Sequence, residues 1–287
     1  MSPDNDSFQM PDPDAALMAA RTHVESAGAA ARGQLLRASD VERNQHPDSP
    51  LATTVSWVRE FLARPHPDLG RTGPVCPFTP LALGLDTIWL TQIDDRDPDP
   101  ERLGELIGHY RDLFLEIEPR SGAAAVNKSI LIVFPNLGGD GAAMIDRIQA
   151  ANKGGFVELG LMLGEFHAHN SSPGLRNPEF FPLRSPIPML AIRHMVESDL
   201  PFLRRDIDPP EVRAAYLRSY LRRLGPNLRR NNFEQAIEAL VEAELEQRLD
   251  ASLIESPRLS AMPRTAARAS AGARRARTAG TVADDAS

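Results

Sequence analysis

Cysteine is almost absent: Cys76 is the only one in 287 residues. A single thiol excludes an intrachain disulfide, and it excludes any zinc or iron–sulfur centre that one chain would build from several cysteines. No window of about 18 apolar residues exists to span a bilayer. The opening MSPDNDSFQMPDPD lacks the apolar core of a signal peptide, so the expectation is a reduced, cytoplasmic protein. Cationic surplus is missing as well. The net charge of −7 and pI near 5.6 argue against nucleic acid as a partner, since such binding needs excess cations to displace phosphate counterions. Lysine is confined to Lys128 and Lys153, with arginine supplying the other basic positions. No G-x-G-x-x-G follows the first predicted strand, and no Walker loop, serine–histidine–acid order or cysteine–histidine nucleophile pattern stands out.

What is present reads as alternating elements. TTVSWVREFLARP puts Val55, Val58, Phe61 and Leu62 at helical spacing and stops before Pro65. DTIWLTQI, Asp86 to Ile93, is β-branched and aromatic, the pattern of a strand. A helix capped by Asp99 and begun by Pro100 follows, with one apolar stripe through Leu103, Ile107, Tyr110 and Phe114 and His109 on its surface. SILIVFPNL from Ser129 has the continuous apolar character of a strand covered on both faces. The helix GAAMIDRIQAANK should end at Gly154 and Gly155. A strand from Leu161 and another in PMLAIRHMV complete the set, followed by helices over 211–224 and from about Asn232, where Asn231 and Glu234 suggest a capping box.

This order predicts an α+β domain over 16–255: a single, mainly antiparallel sheet with helices on one face, most economically a ferredoxin-like split βαβ arrangement, with extra C-terminal helices. A doubly wound α/β sheet is the alternative. Residues 1–15 lack periodicity and are expected to be disordered, and 256–287 form a basic, low-complexity tail. The apolar faces of the last two helices would suit either the sheet or a second copy in a homodimer.

The chemistry concentrates in two loops and one strand. Cys76 is held in HPDLGRTGPVCPFTP, where prolines give its sulfur a defined direction; Cys-Pro is one context for thiolate ligation of haem iron. In GEFHAHN, Glu165, His167 and His169 recur at every second residue, so a strand would present all three on one face. Two imidazoles and a carboxylate form the ligand set of non-haem iron oxygenases, and zinc accepts it too. Haem would need only His167 or His169, with Glu165 beside it. Downstream, Arg176, Arg184 and Arg193 are suited to carboxylates, either haem propionates or a carboxylate-bearing substrate. Arg193 and His194 are adjacent on a strand, so at most one points into a site with the others.

The blocks GRTGPVCPF, GEFHAHNSSPGLRNPEFFPLRSPIPMLAIRHMV and DLPFL resemble an uncharacterised actinobacterial domain family found with biosynthetic genes, over roughly Trp57 to Leu203. That family has no function to carry over. More distantly, Cys76-Pro77-Phe78 and the later Gly164, His167 and Arg176 are similar to the YqcI/YcgG-type group, haem-dependent N-hydroxylases of amino-acid-derived molecules. The spacing after the histidine departs from that group's pattern. The resemblance implies a haem-binding oxidative enzyme of secondary metabolism acting on an amino-acid-derived small molecule. Two other expectations stand beside it: a non-haem metalloenzyme using Glu165, His167 and His169, and a non-catalytic accessory protein whose His and Arg residues serve loop hydrogen bonds.

Overall fold

The structure, a computed structural model, describes residues 33–255. The expectations for 1–15 and for the 256–287 tail lie outside the described residues. Two compact units divide between Val196 and Glu197. Among the described residues, no helix is long and apolar enough to cross a membrane.

The first unit runs β1 (Leu36–Arg37), α1 (Ala38–Asn44), α2 (Pro50–Trp57), α3 (Thr79–Gly84), β2 (Ile88–Gln92), α4 (Pro100–Glu116), α5 (Gly122–Val126), β3 (Ser129–Val133), α6 (Gly141–Glu158), β4 (Leu161–Phe166) and β5 (Met189–His194). Asp99 caps α4 as its sequence implies, its carboxylate accepting from the Arg102 amide at 2.9 Å. The end of α6 differs from expectation. Gly154 and Gly155 lie inside the helix, and the chain leaves it at Gly160, whose φ of 77° is the left-handed turn that a side chain would resist. Burial of Ile145, Ile148, Phe156 and Val157 outweighs the cost of two interior glycines.

The fold class is α+β. Among the described residues, one five-stranded sheet is ordered β1-β2-β3-β5-β4, and three of its four pairings are antiparallel, only β2–β3 being parallel. In two details the arrangement departs from a split βαβ unit with helices on one face. β2 and β3 are immediate neighbours, with no strand inserted between them, and helices cover both faces. On one face α4 and α6 pack Leu103, Ile107, Phe114, Ile145 and Ile148 against Ile130, Ile132, Leu161, Leu163 and Ile192. On the other, α1, α2 and α3 pack Val41, Leu51, Val55 and Ala82 against Ile88, Leu90, Leu131, Val133 and Met189. The physical reason is in β3 itself. Its alternate residues Ile130/Ile132 and Leu131/Val133 are all buried, so neither face can be left to water.

The second unit opens with a short turn at Glu197–Asp199, then α7 (Leu200–Leu203), α8 (Pro210–Leu224) and α9 (Arg230–Glu255). α9 starts one residue before Asn231, so the expected capping box does not form; Glu234 instead takes Arg230 Nε at 2.8 Å, and Glu197 accepts from the Arg229 amide at 2.8 Å. α8 and α9 are tied by Arg218 to Glu244 at 2.8 Å and by Arg213 to Glu246. α9 leaves Phe233, Ile237, Val241, Leu245 and Leu249 exposed.

Candidate functional site

Among the described residues β4 is the last strand of the sheet, so one row of its backbone groups has no neighbouring strand there. α6 covers that edge: Gln149 Nε2 donates to the Leu163 carbonyl at 2.9 Å. Three residues earlier on the same helical row, Asp146 Oδ1 lies 2.9 Å from His167 Nε2, just past the strand's end. The two bonds fix the helix against the strand and give His167 its orientation.

The period-two reading of GEFHAHN holds for part of the segment. Glu165 and His167 share the parity of Leu161 and Leu163, whose side chains pack in the α4/α6 core. The strand stops at Phe166, however, and the Asn170 amide donates to the His167 carbonyl at 3.1 Å, so the chain turns before His169. His167 is 3% exposed whereas His169 is exposed. Among the described residues, no group of three His, Cys, Asp or Glu side chains could hold one metal ion, so the Glu165–His167–His169 triad does not come together. The expected alignment needed three more residues of extended chain than the strand has.

One feature of His167 is chemically unusual. Its Nδ1 is buried and has no hydrogen-bond partner among the described residues. In the tautomer that donates from Nε2 to Asp146, Nδ1 holds the lone pair, which can accept a hydrogen bond or coordinate a single metal. Asp146 itself is half exposed, its side chain at 53%.

Around this pair the loop to β5 is built by Asn170, which is 2% exposed. Its side chain accepts from the Ser172 amide at 2.9 Å, and its carbonyl accepts Arg184 Nε at 3.1 Å. Arg184 also stacks on Phe181 with 4.0 Å between guanidinium carbon and ring centroid. Nε is therefore committed, and the planar face is occupied. The Nη groups of Arg184 have no partner among the described residues, leaving a held two-pronged donor of the kind that suits a carboxylate.

The loop of Cys76 joins the same neighbourhood. Asn177 Nδ2 donates to the Asp68 carbonyl at 2.8 Å, His66 stacks on Phe180 at 4.7 Å, and Gly70 lies against Arg176. The two loops singled out by sequence thus pack together. Cys76 is half-buried, its amide donating to the Leu62 carbonyl at 2.9 Å.

Arg193 lies elsewhere. It pairs in register with Met162, five residues before His167, or about 16 Å along the strand. Its Nη1 donates to the His194 carbonyl at 3.0 Å. His194 shares that far end: its Nε2 is buried without a partner, and burial first, then the charge of Lys128, lowers its pKa below the ordinary value. Neither residue meets His167. Sequence reasoning missed Asp146 and Asn170, for which no spacing signal exists, because each is brought in by tertiary packing.

Two clefts, of about 400 and 320 Å³, are lined by Trp57, Glu60 and Phe61 in one and by Gln92, Asp94 and Arg102 in the other; none of Cys76, His167, His169, Arg184 or Arg193 lines either. The model of a domain of unknown function, DUF6875, matches residues 51–235, well over half of the chain. The chain belongs to the DUF6875 family. The DUF6875 match takes in α2, both site loops, the whole β2–β5 sheet and α8, so the His167–Asp146 pair lies inside the family's own domain. No curated protein and no solved structure matches the chain.

Proposed function

We propose that the domain is an enzyme acting on a carboxylate-bearing small molecule, with His167 as its reactive group and Asp146 as the residue that orients it. The observation that supports this reading is the buried, unpartnered Nδ1 of His167. Leaving such an atom unsatisfied costs roughly 1–3 kcal/mol, a cost that a ligand, a proton or a metal at Nδ1 would offset. Arg184 would hold the substrate carboxylate through its open Nη groups, and Cys76 would sit on the adjoining loop.

The oxidative form of the reading places haem iron on His167. Haem would supply oxygen activation, and the distant N-hydroxylase resemblance favours it. His167 would hold the iron through Nδ1, its other nitrogen being bound to a carboxylate as is typical of metal-bound histidine. Non-haem iron or zinc has less support, since the three ligands it needs do not converge.

A second reading has its own observation. Arg184 Nε is spent on the Asn170 carbonyl and His167 Nε2 on Asp146, so both side chains already serve loop structure, as in an accessory protein.

The absorption spectrum of protein from haem-supplemented cells separates them, measured on wild type, His167→Ala and Asp146→Asn. A Soret band in the wild type that His167→Ala removes and Asp146→Asn shifts supports the haem form. Absence of a band, even after haem is added in vitro, overturns it. If His167→Ala then changes only the melting temperature, with no loss of ligand binding or activity, the enzyme reading falls to the accessory one.

A further inference from the structure

A second site stands apart from His167. α2 and the wide turn after it, Val58–Leu62, bring Ser56, Trp57, Glu60 and Phe61 to one side of a cleft of about 400 Å³, with Thr53 and Pro186 completing its walls. That volume is of small-molecule size. Trp57 and Phe61 stack with centroids 5.7 Å apart, and the edge of the pair is held by Phe166, in a T-shaped contact with Trp57 at 5.8 Å. The aromatic wall is therefore fixed from below by the sheet rather than free to collapse.

The charge of the cleft is set by one carboxylate. Glu60 accepts from Ser56 Oγ through Oε1 at 3.0 Å, which fixes the side chain and leaves Oε2 open. Its sequence neighbour Arg59 is turned to Glu42, which its guanidinium binds through Nε to Oε1 and through Nη2 to Oε2 at 2.9 Å. A carboxylate with one oxygen open, beside two aromatic rings and Pro186, recognises a cation that also carries apolar surface. Glu60 supplies the counter-charge, and the electron-rich ring faces add cation–π attraction. One carboxylate, with only the Thr53 and Ser56 hydroxyls beside it, is a poor site for a bare metal ion, which needs several oxygen donors.

We infer that this cleft binds an organic cation, an ammonium or guanidinium group on an alkyl chain, through Glu60, Trp57 and Phe61. The inference does not depend on His167 being reactive. The free molecule and the side chain of another protein share this chemistry, and probes can tell them apart.

The test follows Trp57 fluorescence in the full-length protein during titration with butylguanidine, with its neutral isostere butylurea, and with N-acetyl-arginine amide. The expected result is a saturable change with butylguanidine, at least tenfold weaker or absent with butylurea, and lost when Trp57→Phe removes the reporter. Glu60→Gln, at an exposed position that leaves folding intact, is expected to weaken butylguanidine by at least tenfold. A response to N-acetyl-arginine amide as strong as that to butylguanidine supports the site and assigns it to a protein-borne side chain; a much weaker one supports it and assigns it to a free cation. Equal binding of butylurea and butylguanidine, or an unchanged affinity in Glu60→Gln, overturns the inference.

Discussion

Lys128 Nζ donates to the Phe114 carbonyl at 2.7 Å and to the Ile117 carbonyl at 2.7 Å, closing the C-terminal end of α4 from the start of β3. Burial lowers its pKa from 10.5 to about 8, Glu118 opposing and Arg120 adding to the shift. Below about pH 8 the group is charged in both folded and unfolded chains, and the burial penalty is felt in full. Between about 8 and 10.5 the unfolded chain binds more protons, so stability rises with pH in that window. The two carbonyls and the Phe114 ring, 4.5 Å away, favour the ammonium form, which keeps the gain toward the low end of roughly 1–3 kcal/mol. Urea unfolding of wild type and Lys128→Met at pH 7.5 and 9.5 checks this. The wild type should gain stability relative to the variant at the higher pH, and parallel behaviour would show that Lys128 is not the titrating group.

The opposite sign is expected in the second unit. Tyr220 Oη donates to the Glu197 carbonyl at 2.8 Å, and burial, with the charges of Glu197 and Asp199 adding, pushes its pKa up to about 12. The folded chain keeps this proton after the unfolded chain has lost it, so its stabilisation is complete below about pH 10 and fades between 10 and 12. Tyr220→Phe should cost on the order of 1 kcal/mol at pH 7 by loss of the hydrogen bond, and should flatten the alkaline decline. Thermal melts of both proteins from pH 9 to 11 would reveal an unaltered decline if Tyr220 were not its source.

Much of the sheet was legible because its signals are local. Asp99 before Pro100, the unbroken apolar run from Ser129 and the start of a strand at Leu161 all depend on neighbours in sequence, and the structure places those elements there. Strand order was not legible, since nothing in β5 announces that it inserts between β3 and β4. β1 and α1 were missed for a related reason. They are ordered by Asp86, whose carboxylate accepts from Ser39 Oγ at 2.8 Å across a long sequence gap and which itself adopts a φ of 51°. At the site, alternation located His167 but could not tell where the strand would stop, and so overstated His169. The partner that defines His167 comes from α6, and only packing brings Asp146 there.

Gly70 offers a test of whether the two site loops depend on each other. Its φ is 72°, and a Cβ there would lie 2.9 Å from Arg176 Cβ, closer than such atoms approach. Gly70→Ala therefore meets both left-handed strain and a steric clash, together on the order of 1–3 kcal/mol. Gly84 is the matched control, with nothing within 4 Å of its added Cβ and a helical backbone, so Gly84→Ala should be neutral or gain up to about 1 kcal/mol. Hydrogen exchange should quicken in 66–75 and 174–180 together in Gly70→Ala alone. Quickening in only one of the loops would mean that they order independently.

Two of the arginines chosen from sequence as carboxylate holders, Arg184 and Arg193, should separate by experiment. Arg184 is anchored by Asn170 and Phe181 in the loop that follows His167, whereas Arg193 lies at the far end of β5, pairing with Met162. If a carboxylate-bearing ligand binds near His167, Arg184→Ala should weaken it by about ten- to a hundredfold, in line with loss of a charge-assisted bidentate contact. Arg184→Lys should recover only part of that loss, because a point charge cannot reproduce the planar fork. Arg193→Ala should leave the affinity unchanged. Calorimetric titration of the three variants with a carboxylate ligand and with its methyl ester gives the answer directly, since the ester should be insensitive to Arg184. An equal loss in Arg193→Ala, or an ester that binds as the acid does, would remove Arg184 from the site and leave its Nε bond to Asn170 as its whole role.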